Sequence, residues 1–75
     1  MDWRDHITVD PAVCHGAAVV RGTRVPVSVV LDNLAAGLTA AEITDSYPAV
    51  SVEAVRAALA YAADLASERT VRLAA

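Results

Sequence analysis

The spacing of apolar positions changes once along this chain. Up to residue 20, Ile7-Thr8-Val9 and Ala18-Val19-Val20 are short and rich in β-branched residues, which predicts strands. After residue 26, apolar residues recur every three or four positions, which predicts helices. The run Val19-Val20-Arg21-Gly22-Thr23-Arg24-Val25-Pro26-Val27 joins the two regimes. Gly22 can take a positive φ, so a sharp turn is expected there. Pro26 fixes φ and donates no hydrogen bond, which ends a sheet and favours a helix start. Thr23–Val25 is a candidate third strand. Two or three short strands need a helical layer or a second subunit to be stable. Asp10-Pro11 is a turn signal, Ala12–Ala17 reads as irregular, and Met1–His6 is expected to fray or to cross to a neighbour.

Three helices follow. Val27–Ala36 is the first, with Val27, Val30, Leu31, Leu34 and Ala35 on one apolar face and Gly37 as its left-handed terminator. Thr39–Ser46 is the second. Thr39 with Glu42 forms a capping box, Leu38 and Ile43 a hydrophobic staple, and Pro48 requires an end by Tyr47. Ser51 caps the third, with Val50 and Val55 as a second staple. Its apolar face is expected to be Val52, Val55, Leu59, Ala62 and Ala66, widened by Ala58 and Leu65. Glu53, Arg56, Ala57, Ala60 and Asp64 fall largely opposite. The helix can run on through Glu68 and Arg72, an i,i+4 pair. Three helices with short connections, the second short and the third long, have the layout of a trihelical helix-turn-helix domain. The fold class is therefore α+β, mostly α, in one domain of residues 1–75. It comprises a β-element (7–26), a trihelical unit (27–66) and a C-terminal tail (67–75).

Composition sharpens this picture. A chain of 75 residues with an Ala-rich interior and no Phe builds a thin core, so a homodimer or an obligate partner is expected. The net charge is −3, with six basic residues, all Arg. That balance disfavours a nucleic-acid binder relying on phosphate neutralisation and suits a basic protein partner. A single cysteine, Cys14, excludes an internal disulfide and fits a reducing compartment. No signal peptide or membrane-length apolar run is visible, so the expected location is the cytoplasm.

The chain resembles a bacterial family, domain of unknown function 433. The residues that carry the resemblance are His15-Gly16, then Val19 to Val27 as quoted, Leu34-Ala35-Ala36-Gly37-Leu38-Thr39, Glu42-Ile43, Tyr47-Pro48, and Val55-Arg56-Ala57-Ala58-Leu59-Ala60-Tyr61-Ala62. The span is roughly Ile7 to Ala62. One departure is Ala17-Ala18, where the family usually has a basic residue and Pro. The resemblance implies a homeodomain-like helix-turn-helix with an N-terminal β-element. It also implies an antitoxin of a type II toxin–antitoxin pair. The implied partner is a PIN-like (Mut7-C type) ribonuclease toxin, and autorepression through operator DNA is a further implied role. The alternative is a stand-alone, sequence-specific DNA-binding regulator of the helix-turn-helix type.

The candidate binding residues are Arg21, Thr23, Arg24, Ser51 and Arg56. Arg21 and Arg24 can contact phosphate or the carboxylates of a nuclease site, since Arg bonds either in bidentate fashion. They can equally hold the hairpin to Asp32 or Glu42. Thr23 can bond phosphate or cap the first helix. Ser51 and Arg56 lie at the start of the third helix, the part a recognition helix presents to bases, and Arg56 alone is a strong base reader. Trp3, Ile7, Val9, Val19 and Tyr61 are candidates for a dimer or partner interface. His6, Cys14 and His15 lack metal-ligand spacing, so no metal is expected. No motif pairs a nucleophile with a base and no loop cradles phosphate, so neither a catalytic residue nor a cofactor is expected.

Overall fold

The computed structural model describes residues 2–12 and 16–68. Strands β1 (Ile7–Val9) and β2 (Ala18–Val20) form a two-stranded antiparallel sheet. Helices α1 (Val27–Ala35), α2 (Ala40–Ser46) and α3 (Val52–Glu68) follow. The fold is α+β and mostly helical. No helix among the described residues is long and apolar enough to cross a membrane.

The sheet register pairs Ile7 with Val20, Thr8 with Val19 and Val9 with Ala18. Ile7 and Val20 thus share one face, and both join the core with Val27, Val30, Ile43, Val50, Ala54, Val55, Ala57 and Ala58. The expected third strand does not form. Only a single bridge links Val19 to Pro26, with the Val20 N–H donating to the Val25 carbonyl at 2.9 Å. Pro26 has no N–H to extend the ladder, and the chain turns into α1 at once.

The N-terminal segment departs from the expected fraying. Trp3–Asp5 forms a single 3-10 turn capped by the Asp2 side chain. Trp3 packs against the core, and that packing orders the segment.

The helix boundaries follow their local signals. Gly37 has φ +97. Its N–H donates to the Leu34 carbonyl at 3.0 Å, and the Leu38 N–H donates to the Asn33 carbonyl at 3.1 Å. These two bonds close α1 as a Schellman motif. Thr39 and Glu42 make the expected capping box at α2. The Ser51 hydroxyl accepts from the Ala54 N–H at 3.0 Å at the start of α3. Val50, fully buried in the α2–α3 link, pins that link to the core.

The buried face of α3 differs from the expected one. Ala54, Val55, Ala57 and Ala58 are buried, whereas Val52 is 39% exposed and Leu59 and Leu65 are each 48% exposed. Ala57, expected on the outer side, is at the centre of the contact. Three of the four buried residues are alanines, and short side chains let the α3 backbone approach closely. Val52, Leu59 and Leu65 are left outside. A continuation of α3 into Arg72 lies outside the described residues.

Candidate functional site

The arginine turn is built from backbone outward. The Thr23 N–H donates to the Val20 carbonyl at 3.0 Å, and Gly22 takes φ +78 between them. The Thr23 hydroxyl donates to the same Val20 carbonyl at 2.7 Å and accepts from the Val25 N–H at 3.0 Å. Thr23 therefore braces the turn. It does not cap α1, whose N-cap residue is Pro26 and which has no side-chain cap.

Arg21 and Arg24 stand on either side of this brace, both exposed. The Arg21 N–H donates to the His6 carbonyl at 2.7 Å, and its guanidinium donates to the Arg4 carbonyl at 2.9 Å. The expected alternative, an Arg21 ion pair with Asp32 or Glu42, does not form. Glu42 is engaged at the α2 cap. A guanidinium carries five N–H donors, so Arg21 keeps donors for a ligand while one nitrogen is held.

Arg4 is a neighbour that sequence reasoning missed. Its guanidinium lies 4.4 Å from the Trp3 ring centroid and 3.4 Å from the Asp2 carboxylate. The Arg4 N–H donates to Asp2 at 3.0 Å. That backbone bond is the main cause holding the Asp2 carboxyl below its ordinary value, with the Arg4 side chain adding to it. The Asp-x-Arg spacing was the available signal, a side-chain cap for a short turn.

Trp3 and Tyr61, both named from sequence, meet each other. Their rings pack edge-on at 4.9 Å and 80°, and the Trp3 indole N–H donates to the Asp64 carboxylate. The other interface candidates are dispersed. Ile7 is 3% exposed and Val19 only 1%, so both side chains are already spent inside the chain, while Val9 is 56% exposed.

Ser51 and Arg56 share the first turns of α3, but Ser51 is committed to its cap. Arg56 projects outward beside exposed Val52, Glu53 and Leu59. A groove of about 270 Å³ opens between β2, α1 and α3, lined chiefly by Ala18, Val27, Ser28, Leu31, Tyr61 and Leu65. Its surface is mostly apolar. Among the described residues no group of three His, Cys, Asp or Glu side chains could hold a metal ion. Cys14 and His15 lie outside the described residues.

Comparison with known proteins places this geometry. A protein of Sinorhizobium fredii (strain NBRC 101917 / NGR234), "Uncharacterized protein y4eO", is 39% identical over 59 residues, 79% of this chain and 27% of that protein. The crystal structure of a DUF433 member protein from Anabaena variabilis ATCC 29413 matches with a TM-score of 0.77 at 29% identity. That match covers 87% of this chain and 64% of the other. The chain thus spans about a quarter of the first relative and under two thirds of the second. The family model described as "Protein of unknown function (DUF433)" matches residues 7–62, from β1 into the second half of α3. This chain belongs to the DUF433 family.

Proposed function

We propose that this protein is a protein-binding module that acts as an antitoxin. It would neutralise a PIN-like ribonuclease in the cytoplasm by binding, without chemistry of its own. The observation that carries this reading is the outward face of α3. In a helix-turn-helix that face enters the major groove and needs positive charge. Here it offers Val52, Glu53, Arg56 and Leu59, all exposed: one cation, one opposed acid and two apolar side chains. Such a surface suits a protein partner better than DNA. The overall charge of −3 points the same way.

The arginine turn supplies the second contact. PIN-like nucleases hold divalent metal with clustered carboxylates. Arg21 and Arg24 project from a turn braced by Thr23, so one of them can reach such a cluster as a fork of donors. The test is neutralisation of the cognate nuclease by the R21A/R24A double variant. Loss of inhibition is expected. Full inhibition by that variant would sink the insertion model and leave only blockage of the RNA path.

In the DNA-binding alternative Arg56 is the one strong base reader on the described part of α3, with Arg21 and Arg24 as phosphate contacts. That alternative expects operator binding that weakens steeply with salt and with Arg56→Ala. A pure partner-binding module is expected not to bind DNA at all, with or without Arg56→Ala. A homodimer is part of the same reading, since Val9, Leu59 and Leu65 leave apolar surface exposed for a second copy or for the nuclease.

A further inference from the structure

We propose that Trp3 is a latch on the second half of α3, and that residues 59–68 form a separately opening unit whose closure sets one wall of the groove. This goes beyond the partner-binding reading and does not depend on it. Among the described side chains of α3, every buried one lies before Leu59, namely Ala54, Val55, Ala57 and Ala58. Past that point each described side chain is half-buried or exposed. A helical stretch of this length is marginal without tertiary contacts, since isolated helices shorter than about 12–15 residues barely form in water. Something must hold it.

Trp3 makes the holding contacts. Its ring packs edge-on to Tyr61, and its indole N–H donates to Asp64. Residues 61 and 64 are one turn apart on one side of the helix, so a single side chain grips two points on it. The turn that carries Trp3 is anchored in return. Asp2 caps it, Arg4 covers the indole at 4.4 Å, and the His6 N–H donates to the Trp3 carbonyl at 2.9 Å. The Arg21 guanidinium ties the Arg4 carbonyl to the end of β2 at 2.9 Å. The latch therefore bears on the sheet at one end and on α3 at the other. Tyr61 and Leu65 also line the groove against α1, so opening the latch removes that wall. Trp3 and Asp64 both lie outside the matched span 7–62. The latch joins the two flanks of the family domain.

Native-state hydrogen exchange on the full chain tests this, comparing wild type with W3A, W3F and D64A. In W3A the amides of residues 61–68 should exchange at least ten times faster, while those of 54–58 keep their protection. W3F keeps a ring against Tyr61 but loses the indole donor, so it should fall between. Unchanged protection of 61–68 in a folded W3A would overturn the proposal. So would an equal loss of protection across α1, α2 and α3, which would make Trp3 an ordinary core residue. If W3A does not fold, D64A decides at an exposed site. A local rise in exchange at 61–68 supports the latch, and no rise overturns it.

Discussion

Thr39 and Glu42 hold the start of α2 by two reciprocal bonds, 2.9 Å from the Thr39 N–H to the Glu42 carboxylate and 3.2 Å from the Glu42 N–H to the Thr39 hydroxyl. Replacing Thr39 with Ala should cost about 1 kcal/mol, read from the urea midpoint. The Thr39 backbone N–H, with the Thr39 side chain second, holds the Glu42 carboxyl below its ordinary value of 4.5. A depressed carboxyl stabilises the fold above its unfolded value and loses that contribution as pH falls through the folded value. Stability should therefore drop as pH falls below the ordinary carboxyl value of 4.5, and E42Q, which keeps an acceptor but does not titrate, should flatten part of that drop. Gly22 gives a second test at this scale. It sits at φ +78, and an added Cβ would meet nothing within 4 Å. The cost of Gly22→Ala is then purely conformational, about 1–2 kcal/mol, and Gly22→Asn should cost less because Asn tolerates that region.

At the scale of elements, α3 carries the sharpest contrast. Ala57 is fully buried and Leu59 is 48% exposed. A57L should destabilise by about 1–3 kcal/mol through overpacking, and L59A should stay within about 0.5 kcal/mol, both by equilibrium denaturation. The reverse ranking would restore the face that hydropathy suggests. The difference is instructive about what the sequence discloses. The two strands, the Gly37 terminator, the Thr39–Glu42 box and the Ser51 cap were legible because each is marked by residues close together in the sequence. The rotation of α3 was not. It depends on how closely the other elements approach, and hydropathy ranks Val52 and Leu59 above Ala54 and Ala57 without knowing that distance. The Trp3–Asp64 contact spans 61 positions, and no local pattern announces it. Thr23 reads from the sequence as a phosphate ligand or a cap of α1; its role as a brace needed the Val20 carbonyl and Val25 N–H to be seen together.

At the scale of the molecule, the DUF433 domain presents an arginine turn, a mixed apolar and charged outward face of α3 and a groove beside Tyr61. The arginine turn was visible in the sequence as a cluster of charge. The groove was not, because its lining comes from β2, α1 and α3 at once. None of these features supplies the field of positive charge that duplex binding requires. The central claim is that the protein works by binding another protein. The most direct measurement is a tagged pull-down of the full chain from its native host, with captured proteins identified by mass spectrometry and captured DNA sequenced. The expected result is a stoichiometric small nuclease that stays bound when the salt concentration is raised. A homodimer that captures no protein partner, with one DNA sequence enriched and released by salt, would contradict it.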